Sequence, residues 1–230
     1  MITPITQPRI GLALLIALAA FCLPSGAAPA AEWENLFDGK TLGKWKVVTE
    51  FDFKEHGKIY VADGKLTIER GQPASGVKWT GKFPKTDYEV TFEAMRTDGD
   101  DFFCGTTFPT AKGPLTLVVG GWGGSVTGLS SIDGEPAVEN ETAGYREFKQ
   151  KKWYRIRLRV TGPKIEAWID KEQIVELKTA DRKFSIYWEM EPCLPLGICT
   201  WNTSAALRDI RVHSIGPKKG NSDPVAVPKK

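Results

Sequence analysis

The sequence predicts an all-β protein, a jelly roll or sandwich of two antiparallel sheets, and three observations carry that prediction. Apolar and polar residues alternate with a period of two through most of the chain. Windows with the 3.6-residue apolar stripe of an amphipathic helix are nearly absent. Turn-forming pairs, such as Asp63-Gly64 and Asp170-Lys171, separate the alternating runs as they do in hairpins.

Residues 1–30 read as a secretory signal: Arg9, the apolar run "IGLALLIALAAFCL", then small residues through Ala28-Pro29-Ala30. The run is too short for a membrane span. A mature chain is therefore expected to begin near Ala31, secreted or periplasmic, with no membrane attachment after cleavage. Cys22 stands where a lipoprotein cysteine would, but Phe21 before it is bulkier than such processing prefers. One β-domain is expected over 31–215, followed by a polar tail, 216–230, too poor in apolar groups to order.

Alternation defines the elements in turn. "KIYVADGKLTIER" is a hairpin about Asp63-Gly64. In "TDYEVTFEAMR", Tyr88, Val90, Phe92 and Ala94 share the buried face. In "KWYRIRLRVTG", Tyr154, Ile156, Leu158 and Val160 face inward and Arg155, Arg157 and Arg159 outward, where acidic neighbours such as Glu89 and Glu93 can pair with them. "KIEAWID" and "EQIVELKT" complete a meander, and "LGICTW" and "ALRDIRVHSI" are two further strands joined through "NTSA". The glycine-rich stretch 118–134 and the polar stretch 133–150 together read as the longest irregular region, where function is usually placed on a rigid sandwich.

Charge and cysteines exclude several functions. The formal net charge is +3, but without Arg9 and the tail's four lysines and Asp223, residues 31–215 fall to about −1, so no basic face for nucleic acid is indicated. Only His56 and His213 are present, which argues against a histidine-rich metal site. Cys193 and Cys199 could close a small disulfide loop, while Cys104 reads as a buried thiol.

The segment "VVGGWGGSVTG" surrounds Trp122 with glycines. It is not a phosphate loop, because its spacing never meets G-x-G-x-x-G and no Lys-Ser/Thr pair follows. In one remaining reading the glycines permit a sharp corner over a buried indole. In the other they lower the walls around an exposed one, so that the C–H face of a sugar can stack on it, and this reading is preferred here.

Acids and amides near such a platform are the candidate machinery. Glu189 and Glu191 in "YWEMEP" would share one face of a strand about 7 Å apart, a spacing suited to glycoside chemistry. Asp98, Asp100 and Asp101 lie in an acidic turn that offers oxygen ligands to a divalent cation, the one cofactor the sequence suggests. Asp133, Glu139 and Glu141 add further acids. Asn140, Tyr145 and Asn202, with Trp122 and Trp201, are the candidate sugar contacts.

"LFDGKTLGKW" (36–45), "DGKLTI" (63–68), "WYRIRLRVTGPKIEAWIDKEQIVEL" (153–177) and "PLGICTWNTSAALRDIRV" (195–212) resemble the family once called domain of unknown function 1080, now named for 3-keto-disaccharide hydrolase or 3-keto-glucoside lyase activity. The resemblance implies a concanavalin A-like jelly roll and action on sugars whose C3 hydroxyl is oxidised to a ketone. Such a ketone acidifies the C2 proton, so that a base can remove it and the anomeric substituent is expelled. The chain departs from the family pattern in two places. No acid lies between Asp101 and Asp133, and Trp201 stands where members carry a histidine, so neither family residue is carried over. The expected protein is an exported, carbohydrate-active hydrolase or lyase, with a non-catalytic carbohydrate-binding module as the alternative.

Overall fold

The computed structural model describes residues 32–215; the expected signal, Cys22 and the polar tail lie outside the described residues. In chain order the strands are β1 (Glu34–Asn35), β2 (Trp45–Val47), β3 (Ile59–Ala62), β4 (Lys65–Ile68), β5 (Ala74–Trp79), β6 (Tyr88–Gly99), β7 (Gly105–Phe108) and β8 (Leu115–Gly121). They continue as β9 (Val126–Ser130), β10 (Gly144–Tyr145), β11 (Trp153–Val160), β12 (Lys164–Ile169), β13 (Glu172–Lys178), β14 (Gly197–Trp201) and β15 (Thr203–Ser214). They form two antiparallel sheets. The back sheet runs β13-β12-β11-β6-β15-β4-β3 with β1 on β15, and the front sheet runs β10-β9-β8-β7-β14-β5-β2.

One apolar core fills the space between the sheets. Tyr88, Val90, Phe92 and Ala94 of β6 and Tyr154, Ile156, Leu158 and Val160 of β11 meet Leu115, Leu117 and Val119 of β8, Leu129 of β9 and Ile198 of β14. Alternation decides this, because every second residue on a pleated strand faces the opposite sheet. On the outer face of the back sheet, Arg155 and Arg208 both bond Glu93, at 2.8 and 2.6 Å, and Arg157 lies 3.7 Å from Glu89.

"LFDGKTLGKW" is scaffold. Leu36, Phe37 and Trp45 join the core, the Trp45 indole donates to the Leu36 carbonyl at 2.9 Å, and Asp38 caps the turn by accepting from the N–H groups of Lys40 and Thr41 at 2.8 Å. The hairpin turn at Asp63 and Gly64 has positive φ at both residues, 51° and 73°, as a primed turn requires.

Three expectations are corrected. The glycine-rich stretch is not irregular: residues 115–130 are the β8–β9 hairpin, with the glycines as its bulge and turn. The glycines broke the alternation that marks a strand in sequence. Glu189 and Glu191 do not lie on a strand, because Trp188–Cys193 is a short 3-10 helix containing Pro192, which cannot donate to a sheet ladder. Cys193 and Cys199, like Cys104, are free buried thiols. They pack with Val48, Phe53, Ala74 and Met190 in a second apolar cluster, and the Cys199 thiol donates to the Gly105 carbonyl at 3.3 Å. Burial pushes the Cys104 thiol up to about 12.

Candidate functional site

Residues of the front sheet that point away from the core floor a cleft. Thr116 and Val118 of β8, Ser130 of β9 and Trp201 of β14 alternate with the core positions named above, and with Asp101, Phe102, Trp122, Tyr187, Glu189 and Met190 they enclose about 250 Å³. Phe102 and Trp201 pack at 6.0 Å between ring centroids. On the floor, the Thr116 hydroxyl is engaged with that of Thr107 at 3.0 Å, and the Ser130 hydroxyl accepts from the Ala137 N–H at 2.7 Å. Asp101, Tyr187 and Glu189, with the indole N–H groups of Trp122 and Trp201, are the polar groups that a ligand can meet.

Trp122 stands on the tip of the β8–β9 hairpin and is 45% exposed, which overturns the buried-indole reading. The strand bulges at Gly120 (φ 80°), and the Gly124 N–H donates to the Gly121 carbonyl at 3.1 Å to close a tight turn. Both central residues of that turn, Trp122 (φ 47°) and Gly123 (φ 81°), lie in the left-handed region. Glycine takes such angles freely, but a bulky side chain does so only under strain.

Beneath this turn lies Arg96, an arginine on the core-facing side of β6 and only 5% exposed. Its Nη2 donates to the carbonyls of Gly124 (2.9 Å) and Gly120 (3.3 Å). Its guanidinium sits over the rings of Phe103 and Phe148, at 5.2 and 5.9 Å. A Cβ on Gly120 would come within 2.5 Å of Nη2, and one on Gly124 within 3.2 Å of Nη1. The glycines are thus required by the arginine beneath as well as by the turn.

Electrostatics distinguishes the acids. Burial pushes the Asp101 carboxyl above its ordinary 3.8, against the backbone N–H groups of Phe102 and Gly123 and the charge of Arg96. The Phe102 N–H lies 2.7 Å from Asp101 Oδ1. Burial, and then the charges of Glu139 and Glu189, raise the Tyr187 phenol and hold it protonated. Oε2 of Glu189 is buried without a hydrogen-bond partner.

The structure therefore brings Asp101, Trp122, Glu189 and Trp201 together, and leaves the other candidates outside the cleft lining. Arg182 takes up Asp133, at 2.6 Å, and Glu141. Glu139 is an exposed residue close enough to act on Tyr187, and Glu191 is exposed beyond the cleft. Asn140 is buried and spends its amide on the carbonyls of Leu129, Glu135 and Pro136 and on Thr142. Tyr145 projects from the edge strand β10, 71% exposed. Asn202 (φ 46°) is the single residue between β14 and β15, its N–H donating to the Pro73 carbonyl at 2.7 Å. Among the described residues, no group of three or more His, Cys, Asp or Glu side chains is arranged to hold a metal ion, the acidic turn included.

Tyr187, Phe102 and Met190 are the contributors that the sequence reading passed over. For Tyr187 and Met190 the available signal was "IYWEMEP", in which the acids drew attention and their neighbours did not, and for Phe102 it was "DDFFCG".

The model of the 3-keto-alpha-glucoside-1,2-lyase-like domain matches residues 32–213. The chain belongs to that family. Solved structures share the fold of this lyase-like domain at low identity. The Crh5 transglycosylase in complex with NAG superposes with a TM-score of 0.55 at 12% identity, over 82% of this chain and 86% of that one. A Bacillus subtilis protein of unknown function with a galectin-like fold gives 0.52 at 14%, over 75% and 90%. A Parabacteroides distasonis protein proposed to be a glycosyl hydrolase gives 0.50 at 10%, over 80% and 94%. No curated protein matches this lyase-like domain in sequence.

Proposed function

We propose that this protein is exported and that its cleft binds a 3-keto-glucoside and cleaves it by elimination. The observation that carries the reading is the meeting of two carboxylates, Asp101 and Glu189, with Trp122, Tyr187 and Trp201 in one cleft. The aromatic rings offer stacking faces to the C–H side of a pyranose.

In the reaction, Asp101 removes the proton from C2, a role that suits a carboxylate whose basicity burial has raised. The electron pair of the C2–H bond moves toward the C3 carbonyl. The developing negative charge on the C3 oxygen accepts a hydrogen bond from the Tyr187 phenol, which stays protonated in this setting. Collapse of the enolate forms the C1–C2 double bond and breaks the bond from C1 to the anomeric oxygen, which takes up the proton that Asp101 removed, directly or through water, and so restores the carboxylate. Glu189 stands at the same cleft with an unmet acceptor atom, which a sugar hydroxyl would satisfy.

The experiment is incubation of the purified protein with 3-keto-α-glucosides, following release of the aglycone, beside Asp101→Asn and Glu189→Gln. Release by the wild type and its loss in Asp101→Asn supports the lyase reading. The predominance of apolar side chains in the lining favours a second reading, a binding module. Saturable binding without release would establish it.

A further inference from the structure

Outside the cleft lining, two more aromatic rings are displayed together. Phe51 begins a 3-10 helix, Phe51–Phe53, and Trp188 begins the 3-10 helix that carries Glu189. Their rings meet edge to face at 5.1 Å, yet Phe51 is 43% and Trp188 55% exposed. Neither ring fills the core. Trp188 stands between Tyr187 and Glu189 in the chain, and both of those line the cleft.

The backbone supplies an independent observation. Phe51 has φ 53°, in the left-handed region, as Trp122 does at 47°. A phenylalanine there is strained where glycine or asparagine would not be, and strain that persists at an exposed side chain points to a role for that side chain. Both aromatics with that conformation are exposed, Trp122 in the cleft lining and Phe51 against Trp188. Glu50, beside Phe51, accepts from the Thr49 N–H at 3.1 Å and lies 3.6 Å from Lys78. The two exposed rings give the patch flat apolar surface.

We propose that Phe51 and Trp188 form an outer subsite, continuous with the cleft, which receives the aglycone of the bound glycoside, and that the favoured aglycone is planar and apolar. The proposal rests on the reading of the cleft as a glycoside site. An aryl group requires only ring faces, which these two side chains present.

The test uses calorimetric titration of the wild type, Trp188→Ala and Trp122→Ala with methyl α-glucoside and phenyl α-glucoside. These unoxidised probes share one sugar, lack the ketone that acidifies C2, and so report binding without elimination. Phenyl α-glucoside is expected to bind the wild type about three- to tenfold more tightly than the methyl compound, as one added aromatic contact would give. Trp188→Ala should remove that preference and leave the affinity for methyl α-glucoside unchanged, with a melting temperature within a few degrees of the wild type because the residue is more than half exposed. Trp122→Ala should weaken both ligands. Equal affinities in the wild type, or a preference that survives in Trp188→Ala, would overturn the outer subsite while leaving the cleft reading intact. If neither glucoside binds, the same comparison is made with methyl and phenyl 3-keto-α-glucoside on Asp101→Asn, which lacks the base for elimination; equal affinities there would overturn the outer subsite alone, and failure of both to bind would overturn the two together.

Discussion

Nη2 of Arg96 lies 2.9 Å from the carbonyl oxygen of Gly124, which ties a buried cation of the back sheet to the turn that presents Trp122. A strand position that alternation assigns to the core is thus filled by a charge whose hydrogen bonds reach the opposite sheet's hairpin. Replacement by methionine keeps the apolar stem but strips two buried carbonyls of their donor. Arg96→Met should therefore lose about 2–4 kcal/mol of stability in denaturant titration. Gly124→Ala should also destabilise, since its Cβ would lie 2.7 Å from the Asp100 carbonyl and φ is 102°. If both variants melt with the wild type, the arginine does not hold the turn.

Trp122 separates display from stability. Its ring is exposed and its backbone strained, so Trp122→Gly should raise stability by about 0.5–1 kcal/mol while removing sugar binding. Trp122→Ala keeps the unfavourable φ and should change stability by about 0.5 kcal/mol or less. Thermal melts with glucoside titrations check both. A marked loss of stability in the glycine variant would mean that the indole packs rather than waits for a ligand.

The fold was legible because alternation and hairpin turns are local. Tyr88 to Ala94 and Tyr154 to Val160 declared their inward face by period alone. The family motifs lie largely in this scaffold: Leu36, Phe37 and Trp45 are core, and 153–177 builds β11 to β13. Trp201 is the motif residue that reaches the cleft. The site was half legible. Trp122, Trp201, Asp101 and Glu189 could be singled out by residue type, but which acids meet depends on non-local pairing. Asp133 and Glu141 lie close to Trp122 in sequence, within the stretch 118–150, and yet bind Arg182. Arg96 was invisible, since nothing local shows that a core-facing arginine has carbonyls to satisfy.

The Glu93 network on the back sheet should govern acid stability away from the cleft. Burial by itself would raise the Glu93 carboxyl, but hydrogen bonds from Arg155 and Arg208, and their charges, outweigh it and hold the group below 4.5. A carboxyl depressed in the folded state stabilises fully above its unfolded value and loses that contribution as pH falls through the folded one. Glu93→Gln should therefore cost about 1–2 kcal/mol at pH 7 and much less near pH 3, a convergence that denaturant titrations at the two pH values measure. A constant difference would assign the effect to packing.

Asp101 should behave in the opposite sense. Burial raises its pKa above 3.8, so between 3.8 and the raised value the folded protein holds a proton that the unfolded chain has released. Stability contributed by this group therefore falls as pH rises through that window. Asp101→Asn should be at least as stable as the wild type at pH 7 while losing about 10²–10⁴ in kcat. The wild-type profile of kcat/KM should fall on its acid side with a midpoint above 3.8, because a base must be ionised to act. Arg96 is one of the groups that lower this pKa, so a folded Arg96→Met should move the acid limb to higher pH. An unmoved limb, or one that persists in Asp101→Asn, would assign the base to another group.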